Sequence, residues 1–225
     1  KVSQLKYSLY EGFIDRNTYQ NTKYKPKLLI NSKEDKKTVL EPLLEQLEES
    51  ETFLFSVAFI TESGLATLKA KLLDLKLKGI KGRILTSTFM RFNHPKVFRE
   101  LLKIDNLEVR IANVEGFHSK GYIFKHQDYY SLIVGSSNLT ATALKQNEEW
   151  NIQLNSMENG DIVYHFLNQF EEVWNQATEL TEEWILHYES NYESPFNQQK
   201  KVAHPATAYQ VNHIKRAMEI KPNKM

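Results

Sequence analysis

Five side chains in one stretch of this chain could together transfer a phosphoryl group: His118, Lys120, Ser136, Asn138 and Glu149. A phosphodiester resists water because attack builds negative charge on an already anionic centre. A neutral imidazole can attack phosphorus and divide that one hard step into two easier ones, so His118 is the expected nucleophile. Lys120 and Asn138 could hold the non-bridging oxygens, with Ser136 and backbone N–H groups beside it completing the oxyanion contacts. Glu149 could orient the imidazole and stabilise its charged form. The leaving oxygen needs a proton, which calls for a second group titrating near neutrality. His118 and His126 share no compact ligand set with the other five histidines, and the chain has no cysteine, which excludes Cys-ligated zinc and a disulfide framework. No metal and no cofactor are therefore expected.

Alternation by two places His118 and Lys120 on one face of a strand. The apolar run Leu132-Ile133-Val134 ends in Gly135-Ser136-Ser137-Asn138 and reads as a buried strand opening into a helix at Leu139. A helix start offers free N–H groups and partial positive charge, so Gly135, Ser137 and Thr140 are expected to bind substrate phosphate there. Glu149 lies opposite Trp150, Ile152 and Leu154 on its strand, which predicts a carboxylate at the site and three side chains in the core. His-x-Lys alone carries no weight, since it also occurs at His94-Pro95-Lys96 and His213-Ile214-Lys215. Neither of those copies has a strand around it or a Gly-Ser-x-Asn after it, and both read as ordinary surface histidines.

The full constellation resembles the HKD signature of the phospholipase D superfamily: His-x-Lys, four residues, Asp, then Gly-Ser-x-Asn and a later Glu. His118-Ser119-Lys120, Gly135-Ser136-Ser137-Asn138 and Glu149 fit in order and spacing, while Lys125 occupies the Asp position and Asp128 follows three residues on. The resemblance implies a phospholipase D-like α/β/α sandwich around a mixed sheet and a metal-independent phosphodiesterase working through a phosphohistidine.

The order of elements agrees with an α/β fold. Strands are predicted at Lys27 to Ile30, Thr52 to Ile60, Arg83 to Thr88, Leu107 to Ile111, Lys120 to Phe124, Ser131 to Val134 and Glu149 to Leu154. Helices are predicted at Lys36 to Glu49, Glu62 to Lys78, Pro95 to Lys103, Asp161 to Trp174 and Thr181 to His187. Phe53, Phe55 and Phe59 alternate on one face and read as core. Tyr122 and Phe124 flank the site and read as packing residues. Trp174 and Trp184 read as core or interface.

Residues 27–188 are expected to form the phospholipase D-like domain, preceded by an extension, 1–26, that packs on it. Residues 189–225 read as a polar linker and a lead-in to a further domain. The ending IKPNKM, with Leu9 to Asp15, Phe55 to Phe59 and Glu148 to Asn151, resembles HKD domains at the N-terminus of superfamily 2 DNA helicases. That resemblance implies covalent continuation into an ATP-dependent helicase motor, since the chain itself lacks a phosphate-binding loop of the G-x-x-x-x-G-K-[ST] type. A cytoplasmic protein is expected: no run nears the ~20 apolar residues of a membrane span, and the first residues lack the apolar core of a signal peptide.

Net charge is +1, yet its distribution is uneven. Lys69 to Arg99 holds nine basic residues and one acidic, whereas Gln146 to Ser190 holds ten acidic and no Lys or Arg. Such polarity could steer a polyanion to one side of the molecule. Two functions stand open: a nuclease acting on DNA rather than RNA, of the helicase-associated or restriction type, or a binding module that keeps the phosphate pocket without cutting. A mechanism with two histidines and one complete motif per chain predicts a homodimer with the motifs facing each other.

Overall fold

The computed structural model describes residues 24–192. The extension up to residue 23, the linker beyond 192 and His213 lie outside the described residues. Eight strands form one sheet: β1 (Lys27–Leu29), β2 (Thr52–Val57), β3 (Lys81–Thr86), β4 (Leu107–Ile111), β5 (Lys120–Lys125), β6 (Tyr130–Gly135), β7 (Asn151–Ser156) and β8 (Thr178–Glu179). Their order is β1-β7-β6-β5-β2-β3-β4-β8. β2, β3 and β4 run parallel, joined by helices, and every other pairing is antiparallel.

Six helices complete an α/β/α sandwich: α1 (Leu40–Glu49), α2 (Glu62–Leu77), α3 (Pro95–Leu102), α4 (Ala141–Lys145), α5 (Asp161–Gln176) and α6 (Glu182–Ser190). Leucines at helical spacing on α1 and α2, with Val97, Phe98 and Leu101 of α3 and Ile185 of α6, pack on Phe53, Phe55, Val57, Tyr122 and Phe124 of the sheet. The other face is covered by Val163, Phe170 and Trp174 of α5 over Leu54, Leu85, Ile123 and Leu132. Tyr122 and Phe124 are fully buried, as expected of packing residues. Among the described residues no helix is long and apolar enough to cross a membrane.

Local signals explain the boundaries. Thr61 caps α2 by accepting from the Gly64 N–H at 3.0 Å, and Gly79 (φ 73°) follows its end. Pro95 opens α3, and its cap is His94, whose ring accepts from the Lys96 N–H at 3.2 Å. The first predicted helix begins four residues late, because Ser32 and Lys37 pair as a bridge and Lys36 adopts φ 53°. β8 and a 3-10 turn at Phe89–Arg91 escaped the sequence reading, since two or three residues show no period.

The charged runs meet each other. Five of the nine basic residues from Lys69 to Arg99 make ion pairs: Lys69 with Glu100, Lys71 with Glu48, Lys76 with Asp105, Arg83 with Glu171 and Arg99 with Glu182 and Glu189. Glu171, Glu182 and Glu189 belong to the acidic run, so part of the sequence polarity is neutralised inside the fold.

Candidate active site

All five candidate residues come to one end of the sheet, where β2, β3 and β6 finish and β5 and β7 begin. Lys120 is the first residue of β5, opposite Val57 of β2. His118 lies just before the strand rather than on it, and is exposed. The Lys120 ammonium donates to the His118 carbonyl at 2.6 Å and sits 2.9 Å from the ring Nδ1. Phe59 meets the imidazole edge-on at 5.3 Å and lies 5.7 Å from Lys120 Nζ, with Phe89 6.1 Å from the imidazole. Phe59 therefore departs from Phe53 and Phe55: it lies past the end of β2, is half-buried, and packs at the edge of the core on the α5 side while forming a wall of the site.

Burial pushes the Lys120 ammonium down to about 8, opposed by the charge of Glu149. Burial and then the Lys120 charge hold His118 below its ordinary value. At neutral pH the imidazole is mostly neutral, as a nucleophile must be.

The turn after β6 brings in the rest. The Ser136 hydroxyl donates to the Glu149 carboxylate and accepts from the Trp150 N–H at 3.1 Å. Glu149 thus holds Ser136 and feels Lys120. Its hydrogen bond goes to that serine, whereas the sequence reading aimed it at the imidazole. Asn138 accepts from the Phe59 N–H at 3.3 Å through Oδ1, which leaves its Nδ2 as the donor available to a ligand.

Four of the N–H groups expected to cradle phosphate are engaged within the fold. Ser136 N–H donates to Trp150 O at 3.1 Å, Ser137 N–H to Asn151 Oδ1 at 3.2 Å, Leu139 N–H to Phe59 O at 3.0 Å and Thr140 N–H to Asn138 O at 2.8 Å. Leu139 bridges to Ile60 in a strand-like contact, so the helix starts only at Ala141 and spans five residues. Thr140 caps it, accepting from Ala143 N–H at 3.1 Å. Ser137 is fully buried, with its hydroxyl accepting from Asn151 Nδ2 at 2.8 Å and its carbonyl from the Tyr122 hydroxyl at 2.9 Å. Gly135 is required by packing, since a Cβ there would lie 2.2 Å from Trp150 O. Gly135, Ser137 and Thr140, expected to bind substrate, instead shape the turn that presents Ser136 and Asn138.

Strand β7 alternates as expected but begins in opposite phase to the prediction, with Leu154 alone of the three packing against the core. Asn151 and Gln153 are buried, bonded to Ser137 and to Ser131 at 3.2 Å. Trp150 (69% exposed) and Ile152 (52%) face out, beside Leu28 (60%), which pairs with Ile152. Lys125, in the usual Asp position, sits at the far end of β5, with Nζ 3.9 Å from Glu158. Five residues of strand place it roughly 16 Å from Lys120, outside the site.

Two asparagines that sequence did not single out for the site position it. Asn93 is 1% exposed, accepts from Ile60 N–H at 2.7 Å and donates to Ala58 O at 3.0 Å and Ser87 O at 2.7 Å, tying the exits of β2 and β3 together. Asn151 does the same for the Ser137 turn. A lone Asn in a loop-forming stretch carries no sequence signal for such a hub. His94 is exposed, as expected, and caps α3. Among the described residues no group of His, Asp or Glu is placed to hold a metal ion.

The same architecture recurs in known structures. NucT from Helicobacter pylori superposes with a TM-score of 0.56 at 15% identity, covering 69% of this chain and 99% of that one. Nuc from Salmonella typhimurium, described as a phospholipase D family member, gives 0.54 at 17%, covering 68% and 97%. Phosphatidylserine synthase from Haemophilus influenzae Rd KW20 gives 0.54 at 14%, covering 88% and 47%. No curated protein matches the chain. Residues 43–174, which contain the whole constellation from His118 to Glu149, match the family described as "Cardiolipin synthase, PLD-like domain", and the chain belongs to that phospholipase D-like family.

Proposed function

We propose that this domain is a phosphodiesterase that cleaves DNA without a metal, using His118 as nucleophile. The observation that carries the reading is the pair formed by a neutral imidazole and a half-buried ammonium 2.9 Å apart, at the sheet end where Ser136, Asn138 and Glu149 converge. With the Ser136, Ser137, Leu139 and Thr140 N–H groups engaged internally, phosphate oxygens are held chiefly by side chains: Lys120 Nζ and Asn138 Nδ2. An ammonium donating to Nδ1 leaves the ring proton on Nε2. When a phosphate oxygen draws Lys120 away, the ring is free to present a lone pair. Nitrogen then bonds to phosphorus, the P–O bond to the leaving alkoxide breaks, and an imidazolium gives that oxygen its proton. Water attacks the phosphohistidine, returns a proton to the second imidazole, and releases His118.

The second imidazole is the His118 of another copy across a twofold axis. Trp150, Ile152 and Leu28 support this, because they form an exposed apolar strip immediately beside Glu149. Sedimentation at micromolar concentration tests it: Trp150→Glu converts a dimer into a monomer and lowers activity, and a wild-type monomer sinks the shared site. The helicase-linked and restriction-type setting rests on the resemblance of Leu9 to Asp15 and the ending IKPNKM, outside 24–192, together with Phe55 to Phe59 and Glu148 to Asn151 within it.

The decisive assay is incubation with labelled single- and double-stranded DNA in excess EDTA. Wild type cleaves and His118→Ala loses at least a thousandfold while still binding. Rescue only by magnesium would count against the mechanism. Equal residual activity in His118→Ala would favour the binding module, whose argument from sequence, Lys125 in the usual Asp position, is weakened because Lys125 lies remote from the site.

A further inference from the structure

Beside the catalytic residues, on the α5 side of the sheet, lies a cleft of about 450 Å³. Its floor is made where three small or short side chains meet in register: Gly121 of β5 faces Ser56 of β2 and Val134 of β6. A Cβ built on Gly121 would touch nothing within 4 Å, so the missing side chain at this position is what leaves the cleft open. The walls are aromatic, from Phe117 before β5 and from Phe166 and Phe170 on α5. His118, Ser119 and Lys120 are among its lining residues, so an occupant lies beside the position of the phosphate that His118 would attack.

We propose that this cleft is a nucleobase subsite, which takes one base adjacent to the scissile phosphate and confines the substrate to strands whose bases can leave the stack. The proposal rests on the phosphodiesterase reading and names its substrate. The chemistry of the lining selects the occupant. A base is a flat π-system with hydrogen-bonding edges. Phe117, Phe166 and Phe170 offer faces and edges to stack on. The Ser56 and Ser119 hydroxyls, 2.7 Å apart, and the Gln169 amide at the rim offer partners to its edge. An acyl chain would press hydrocarbon against those polar groups, displacing their water without offering a hydrogen bond in exchange. The volume lies in the range of small-ligand pockets, and a paired base can enter only by flipping out of its duplex.

Gly121→Leu tests this by filling the cleft from its floor, and Phe166→Ala by removing a wall, so that loss of one variant to misfolding leaves the other. Two readouts are taken on variants with unchanged melting curves. The first is binding in the His118→Ala background to a short single strand containing 2-aminopurine. Its fluorescence is quenched on binding, and either cleft variant weakens binding about tenfold and relieves the quenching, the size of one lost base–aromatic stack. The second is the ratio of cleavage rates on single-stranded DNA and on methyl p-nitrophenyl phosphate, which carries no base. That ratio falls about tenfold in both variants, and wild type cuts single strands at least tenfold faster than duplex. Unaltered quenching and an unaltered ratio overturn the subsite, as does equal cleavage of duplex. Hydrolysis of dihexanoylphosphatidylcholine in place of DNA, sensitive to Gly121→Leu, overturns it in favour of a lipid chain. If no phosphodiester is cut but 2-aminopurine is still quenched through the cleft, the catalytic reading fails and the subsite stands.

Discussion

Lys120→Met should make the protein more stable while abolishing turnover, and the gain should vanish at high pH. The lysine sits half-buried against Phe59, and burial lowers its proton affinity from 10.5 to about 8. At about 1.4 kcal/mol per decade, that fall corresponds to about 3 kcal/mol of penalty on the charged form. Water reaches about half the side chain, so solvent screening reduces the net effect to about 1 kcal/mol. Methionine keeps the apolar stem packed on the ring and removes the ammonium. The carbonyl of His118 that loses its donor is exposed and takes water instead. The folded protein binds this proton less readily than the unfolded chain does. The penalty is therefore complete below pH 8, fades from pH 8 to 10.5, and is absent above. Thermal melts of wild type and Lys120→Met at pH 7 should differ by roughly 2–4 °C in favour of the variant, for a chain of this size. At pH 10.5 or above the two should coincide. A variant that melts below wild type at pH 7, or a difference independent of pH, would refute the reasoning.

The pH–rate profile should be a narrow bell. One copy of His118 must be neutral to attack and the other protonated to supply the leaving oxygen's proton, so the optimum lies below the ordinary imidazole value, and loss of the Lys120 proton near pH 8 steepens the fall on the alkaline side; Lys120→Arg should remove that steepening and leave the histidine bell. Asn93→Ala should cost about 2–4 kcal/mol in urea unfolding, because the Ile60 N–H and the Ala58 and Ser87 carbonyls lose buried partners together; a cost under about 1 kcal/mol would mean that water replaces the amide. Binding of single-stranded DNA by His118→Ala protein should have a shallow salt dependence, with a slope near −2 from about three contacts rather than about −6 from nine. A steep slope would restore the basic run as the binding surface.

The elements were legible wherever period and punctuation coincided. Glu62 to Lys78 carries a leucine stripe, a Thr cap and a terminal Gly, and it forms α2 within one residue of prediction. The five chemical side chains were legible as well, because residue type and spacing sufficed to bring them to one sheet end. What they touch was not. Alternation on β7 fixes which residues share a face but not which face turns inward. Trp150 and Ile152 looked like the core, yet Asn151 and Gln153 go inside because Ser137 and Ser131 are there to bond them. The turn after Gly135 failed for a related reason. Sequence places free N–H groups wherever a helix begins, but these N–H groups are claimed by Trp150, Asn151 and Phe59, partners that only the folded sheet supplies.

The same distinction governs the charges. A run of nine basic residues looks like a surface for a polyanion, but α5 and α6 return glutamates to it. Arg83 takes Glu171 in a bidentate pair while its guanidinium lies 5.2 Å from the Phe170 ring and 5.1 Å from that of Trp174. Arg99 takes Glu189 in the same way. Of the basic residues in the run without an ion pair, Lys78 and Lys81 stand at the start of β3, the sheet end opposite the site. Arg91 and Lys96 stand just beyond its finish. On the proposed reading, attraction for phosphate is thereby concentrated at the His118 end of the sheet, where Lys120 is half-desolvated and its charge acts over a lower dielectric than a surface lysine's. The fold thus restricts where an anionic strand gains by settling, and the gain is largest where His118 can attack.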